Sequence, residues 1–419
     1  MLKLLVIADD FTGALDTGVQ FSSQGIQTMV STQTAIDYDR LPPSLEVLVI
    51  DAESRHLSQS QAYARIKAIL SDAITAEIPY IYKKVDSALR GNISSEIKAV
   101  VDSFAQPVIP FLPAYPEMNR TVVGGHLYID QVLVSESVFA ADPYEPVRES
   151  NILQRLETEA GLSTVLVQEE EIDPTRAAVH VFDAQTDEML LQQAEKLQAA
   201  NLLGVTIGCA GFAKVLAKQL FKDRKKVQYT IEQPLVVICG SVNPITQAQV
   251  NHAQQQYPRI SLSAHQLLTE GYWDSPQGKQ DQQAYSRLME TYPLIVFETF
   301  SEQTSKELPK VSEANNLSLS DSRFQIGIAL GKLTEALWTA HQENTFLFTG
   351  GDTLFQSMEV LGINGIIPLA ELQPGIVLSL IEWNNRKMKV ITKSGGFGSE
   401  TLFEELIITH TSLEEDLLC

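Results

Sequence analysis

The chain of 419 residues holds only three cysteines, Cys209, Cys239 and Cys419, and no Cys-x-x-Cys pair. Thiols so few and so scattered build neither a disulfide framework nor a zinc site. The seven histidines show no His-Glu-x-x-His spacing, and no Gly-x-Ser-x-Gly elbow occurs, so the common zinc-hydrolase and serine-hydrolase patterns are missing. Basic residues are also short, with 31 Lys and Arg against 52 Asp and Glu for a net charge of −21. Nucleic acid and anionic membranes both demand a basic footprint, and neither is an expected partner. No apolar run approaches the ~20 residues needed to span a bilayer. The chain opens at once on a strand pattern (Leu2 to Ala8) without the charged start and cleavage site of a signal peptide. The expected compartment is the cytosol.

What remains is ample for folding: 44% hydrophobic and 20% charged residues over a length that suits two domains. Short β-branched runs alternate with amphipathic stretches, the rhythm of βαβ units. Strands are expected at 3–8, 47–50, 80–83, 107–111, 179–182 and 203–207, with helices after several of them, the first from about Gly13 to Ser23. The charged stretch 221–233 reads as a linker that ends at Pro234. Beyond it the pattern restarts with strands at 235–239, 294–298 and 345–349, a long helix near 322–341, and a hairpin of 377–383 and 387–392. The expected fold is α/β in two domains, 1–225 and 234–419. Each carries a mostly parallel sheet flanked by helices, and the second ends in an antiparallel hairpin.

Ligands of open α/β sheets sit beyond the carboxyl ends of the strands. Three such loops in the first half carry more polar chemistry than turns require. Asp9-Asp10-Phe11-Thr12-Gly13 places two adjacent carboxylates where one would suffice to cap a helix. Arg55, in Asp51–His56, has the planar fork that matches a carboxylate. Lys83-Lys84-Val85-Asp86-Ser87 continues to Arg90, three cations within eight positions of an acidic chain, a placement suited to an anion. The loop 113–125 follows the next strand, and its Arg120 adds one more charge. In the second half, Gly240-Ser241, Gly350-Gly351-Asp352-Thr353 and Gly395-Gly396 each follow a strand. Any one of them is an ordinary tight turn, whereas three on one domain point to a nucleotide, because glycine lets backbone N–H groups approach phosphate. Gly327–Leu333 superficially resembles a P-loop, but the spacing is a residue short and it lies within a helical pattern.

Taken together, Ala8–Gly18, Lys83–Asn92, Arg120–Gly125, Gly350–Thr353 and 394–398 resemble the four-carbon acid sugar kinases, over nearly the whole chain. The Asp86–Gly91 stretch resembles the threonate and erythronate branch and differs from the Cys-Ser-Thr-Phe-Asp-Ser-Thr of the 3-oxo-tetronate branch. The resemblance implies an acid-sugar-binding N-terminal domain and an ATP-binding C-terminal domain. Asp10, Arg55, Lys83, Lys84, Asp86 and Ser87 would then contact the substrate. Ser241, Gly350, Gly351, Asp352, Thr353 and Gly395 or Gly396 would contact ATP. The implied reaction moves a phosphoryl group from ATP, with Mg²⁺ on the phosphates, to the terminal hydroxyl of D-threonate or D-erythronate. Arg55 and one of Lys83 and Lys84 are assigned to the carboxylate, Asp10 or Asp86 to the hydroxyls, and Asp352 or Asp86 to the catalytic base. No protein ligand set for a metal emerges, and a homo-oligomer is left open. A sensor without turnover and an NAD-dependent sugar-acid dehydrogenase are the competing readings; the missing dinucleotide fingerprint weighs against the second.

Overall fold

The computed structural model describes residues 2–142, 145–168, 172–173, 175–222, 229–341, 343–393 and 395–409, with the backbone alone at 320, 352 and 409. Two compact units divide it, Met1–Val227 and Gln228–Cys419.

The first unit is built on eight parallel strands. They are β1 (Leu4–Ala8), β2 (Thr28–Ser31), β3 (Val47–Asp51), β4 (Tyr80–Lys84) and β5 (Val108–Leu112), then β9 (Thr164–Val167), β10 (Ala178–Phe182) and β11 (Val205–Gly208). Their order is β2-β3-β1-β4-β11-β5-β10-β9. Every residue of β1, β3 and β5 is buried, as continuous apolar runs must be when helices cover both faces of a sheet. The helices fall into two packed groups. Phe11–Ser22 lies with Ala210–Leu220 and Asp187–Ala199, and Gln59–Thr75 lies with Ile93–Val101 and Ile152–Ala160. The chain leaves β1 for β2 and β3 on one side and returns to β4 on the other. The carboxyl ends of β1 and β4 therefore flank the point where the winding reverses, the crevice where such sheets hold ligands.

The second unit contains β12 (Leu235–Cys239), β13 (Arg259–Ser261), β14 (Leu294–Glu298), β15 (Thr345–Thr349), β16 (Gly365–Gln373), β17 (Ile376–Trp383) and β18 (Arg386–Lys393). The order is β13-β14-β12-β15-β18-β17-β16, parallel through β18 and antiparallel beyond it. Leu235, Val237, Leu347, Ile391 and Leu378 line up across the strands and pack on Phe403 of the last helix. The β17–β18 hairpin closes through Asn384 and Asn385, both at positive φ (51° and 61°). That geometry belongs to the two-residue turn whose twist matches the strands, and Asn tolerates it well.

The structure differs from the sequence reading in two places. The stretch 113–125 is not one loop, because Arg120–Val123 forms β6 of a small antiparallel sheet with β7 (His126–Ile129) and β8 (Val132–Leu133). The short strands β2, β9 and β13 and the nine-residue β16 have no counterpart in the expected strand list. Residues 223–228 of the charged linker lie outside the described residues. The P-loop lookalike sits inside the helix Leu319–Ala340, and its glycines serve packing. A Cβ on Gly327 would lie 2.7 Å from Gln356, and one on Gly331 would lie 2.9 Å from Val360, both on the helix Gly351–Leu361.

Candidate active site

In the first unit the carboxyl ends of β1, β3 and β4 and the loops after them bring six charged side chains into one network. Arg55 donates from Nε to Asp9 Oδ2 at 2.7 Å, from Nη1 to Asp10 Oδ2 at 2.9 Å and from Nη2 to Asp10 Oδ1 at 2.7 Å. Its Nη2 also lies 3.4 Å from Asp86 Oδ1. Lys84 Nζ reaches Asp9 Oδ1 at 3.0 Å and Asp10 Oδ1 at 3.1 Å. Asp86 in turn takes Nε and Nη2 of Arg90 at 3.0 Å each. Asp10 also caps the helix Phe11–Ser22, accepting from Gly13 N at 3.1 Å. The capping and ligand-binding readings of this acid are thus compatible in one side chain. Gly13 is required here: a Cβ would stand 1.7 Å from Lys84 Nζ and 2.4 Å from Asp10 Oδ1.

The electrostatics follow from burial and pairing. Burial opposes the charged form of Asp9, yet the Arg55 and Lys84 cations overcome it and hold the carboxyl well below the usual carboxylate range. Asp86 behaves the same way, with Arg55 and Arg90 outweighing its burial. Lys84 is pushed above the usual lysine range because Asp10 and Asp9 outweigh its burial. Asp51 goes the opposite way, driven well up by burial with the nearby Glu53 and Asp10 charges adding to it. Among Asp9, Asp10 and Asp86, Asp10 is the most open, its side chain 20% exposed against 2% and 8%. Of the three, Asp10 is the carboxylate most open to a ligand.

Three sequence expectations meet a different geometry here. Lys83 does not enter the crevice. Successive strand residues face opposite ways, so Lys84 meets the aspartates while Lys83 is fully buried on Glu96, 2.8 Å away. Ser54 Oγ donates to the same Glu96 at 2.5 Å. Arg55 keeps no vacant fork for a carboxylate, because Asp10 occupies it bidentately. Asp86 is an anchor for two arginines, and a carboxylate held so low is a weak base. Ser87 accepts from Arg120 Nη1. Residues absent from the sequence assignment also support the site. Glu96 holds Lys83, and Asn92 Nδ2 ties the carbonyls of Ser54, Arg55 and Leu57. Arg155 donates to the carbonyls of Leu89 and Gly91. A pocket of about 410 Å³ opens beside the Arg55 stem, lined by His56, Gly91, Asn92, Glu145 and Arg155 among others.

The second unit presents another chemistry at its own reversal point, between β12 and β15. The turns after β12, β15 and β18 converge until side chains no longer fit. A Cβ on Gly240 would lie 2.3 Å from Thr353 Oγ1, and one on Gly395 would lie 2.7 Å from Ser241 Oγ. Gly350 adopts φ 95°, a conformation that favours glycine, and starts the helix Gly351–Leu361 without a side-chain cap. The free N–H groups of such an end attract anions. Thr353 itself turns inward, donating to Thr349 O at 3.1 Å. The Asp352 side chain lies outside the described residues. Beneath the third turn Lys393 Nζ bonds Thr246 Oγ1 at 3.0 Å and the Gly395 carbonyl at 3.2 Å. Burial pulls its pKa down from 10.5 to about 8.

Residues 4–216 match the family model of a sugar-binding N-terminal domain, and residues 236–403 match that of a nucleotide-binding C-terminal domain. The chain is 27% identical over 417 residues to a D-threonate kinase of Salmonella typhimurium, covering 96% of both chains. It is 26% identical over 445 residues to a 3-oxo-tetronate kinase of Pectobacterium atrosepticum, covering 96% of this chain and 98% of the relative. A solved Haemophilus influenzae structure shares the fold with a TM-score of 0.76 at 22% identity, over 96% of this chain and 98% of that one. Among the described residues no helix is long and apolar enough to cross a membrane.

Proposed function

Because the chain belongs to the four-carbon acid sugar kinase family, we propose that it phosphorylates the terminal hydroxyl of D-threonate or D-erythronate from MgATP. The hydroxyl oxygen forms the new bond to the γ-phosphorus, the bridging oxygen departs with ADP, and the hydroxyl proton passes to a base. Family membership leaves no place for the dehydrogenase reading.

The observation that supports the proposal is the convergence of three glycine turns on one helix start without a side-chain cap, an arrangement that suits backbone amides to phosphate oxygens. We assign Ser241, Gly350, Gly351, Thr353, Gly395 and Gly396 to the ATP phosphates. Asp352 is assigned to the reacting hydroxyl or to the ion on the phosphates, from its place at the head of that helix. Among the described residues no group of three or more His, Cys, Asp or Glu side chains is placed to hold a metal. In this reading Mg²⁺ arrives with the nucleotide as part of the substrate. In the first unit Asp10 accepts the sugar hydroxyls, while Arg55 and Lys84 hold Asp10 and Asp9 oriented. Lys83 supports that layer from behind through Glu96.

A coupled assay of ADP release across D-threonate, D-erythronate, L-threonate and 3-oxo-tetronate tests the reading. D-threonate or D-erythronate should give the highest kcat/KM, EDTA should abolish turnover and added Mg²⁺ should restore it. Preference for 3-oxo-tetronate would move the chain to the other branch, and full turnover in metal-free buffer would reject the mechanism.

A further inference from the structure

The kinase reading leaves open which group receives the substrate carboxylate, and resting on that reading we infer that Arg120 and Ser87 do, in place of Arg55. Arg55, Lys84 and Arg90 are each already matched by carboxylates of the chain: Arg55 by Asp9, Asp10 and Asp86, Lys84 by Asp9 and Asp10, and Arg90 by Asp86 and, at 3.5 Å, Asp142. A further anion on Arg55 would have to evict Asp10 and would then stand beside Asp9 and Asp86. Like charges so placed repel strongly.

Arg120 is different. Among the described residues no carboxylate lies within ion-pair distance of it, its Nη1 donates to the neutral Ser87 hydroxyl, and its Nε is buried without a hydrogen-bond partner. A buried guanidinium N–H left without an acceptor is costly, and an incoming carboxylate removes that cost. Ser87 accepts from Arg120 and keeps its own proton to donate to the second carboxylate oxygen. Position agrees with this role. Ser87 directly follows Asp86, whose carboxylate lies 3.4 Å from Arg55, so Arg120 stands at the margin of the crevice that Asp10 opens. Phe139 packs under the guanidinium, 5.5 Å from ring centre to Arg120 Cζ, and fixes its plane while leaving its edge to a ligand.

The neighbouring pocket beside Arg55 offers no equivalent. Arg155 is committed to the Leu89 and Gly91 carbonyls and to Glu159, Asn92 to three carbonyls, and His56 to Glu145.

The test compares an acid sugar with its neutral counterpart. In Arg120→Gln the KM for D-threonate and D-erythronate should rise roughly thirtyfold or more, as expected when a buried charge partner is lost. The KM for ATP should stay within about twofold, and so should residual turnover of the neutral polyol threitol, which has no carboxylate to lose. Arg120→Lys should recover only part of the loss, because an ammonium keeps the charge without the fork. Should Arg120→Gln lack a cooperative melting transition, Arg120→Lys and Ser87→Ala carry the test, each raising KM for the acids alone. An aldonate KM within about threefold of the parent, or an equal loss for aldonate and threitol, overturns the assignment while leaving the kinase reading intact. A parent enzyme that turns over no four-carbon aldonate overturns both.

Discussion

The two units solve ligand recognition in opposite ways. The first unit fills its crevice with long charged side chains that have already found one another, so the ligand enters a network satisfied without it. The second unit clears side chains away, and on the proposed function its ligand would meet peptide groups at the head of a helix. Charged side chains can tell hydroxyl from carboxylate and one epimer from another, because each donor and acceptor has a fixed place. Backbone amides beside glycine read little beyond an oxyanion, which suits a phosphate common to many nucleotides. Selectivity for the acid is therefore expected to reside in the first unit and affinity for phosphate in the second.

That contrast can be broken most severely at Gly13. Replacing it with alanine drives a methyl group into the space of Lys84 Nζ and unseats a buried ion pair, a class of change that costs about 3–5 kcal/mol of stability. We expect acid-sugar kcat/KM to fall about a hundredfold, ~2.7 kcal/mol of transition-state stabilisation. Calorimetric ATP affinity of the folded variant should be unchanged. An acid-sugar site that survives the substitution would show that the Lys84–Asp10 contact is incidental.

The mirror experiment is Gly240→Ala, where the new methyl group presses on Thr353 Oγ1. ATP should bind at least tenfold more weakly, about 1.4 kcal/mol, with acid-sugar binding retained. Damage to acid-sugar binding alone would invert the assignment of roles.

The smallest effect expected is one of pH. With its folded pKa at about 8, Lys393 is a cation below that pH and loses its charge above it. A bound phosphate favours the cation, so ATP affinity should be highest below pH 8 and decline about threefold as pH rises through it. The described groups at its amine include the Thr246 hydroxyl, the Gly395 carbonyl and the Cys239 thiol, itself pushed up to about 11 by burial. None of these titrates near pH 8. Lys393→Met should flatten the profile. Linkage has the opposite sign for stability: the unfolded chain, with an ordinary lysine, binds more protons between pH 8 and 10.5, so this residue's contribution rises with pH across that window.

Much of this architecture was legible in the sequence because fully buried strands announce themselves. Leu4–Ala8, Val47–Asp51 and Leu235–Cys239 are continuous apolar runs bounded by polar turns. Thr28–Ser31 and Arg259–Ser261 are three or four residues long and half polar, and pairing with a neighbouring strand stabilises them more than any local pattern does. Arg120–Val123 sits among Pro and Gly residues that signal a loop, yet it pairs with His126–Ile129 through a tight glycine turn. In the site, the loops carrying Asp10, Arg55 and Lys84 could be located, but their mutual pairing spans 45 and 74 residues of sequence and has no local signature. The opposite facing of Lys83 and Lys84 follows from strand alternation alone. Glu96 offered no signal, since an acid in the first turn of a helix reads as ordinary dipole chemistry.

Gly327 and Gly331, four residues apart on the helix Leu319–Ala340, let its backbone press against Gln356 and Val360 of the helix that begins at Gly351. The seam works like a machined bearing. It sets the seating of the helix proposed to face the phosphates, with a tolerance smaller than one methyl group. Affinity for nucleotide thereby acquires an adjustment screw far from the cradle itself, and changes along that seam can retune the cradle while every residue that meets phosphate stays the same.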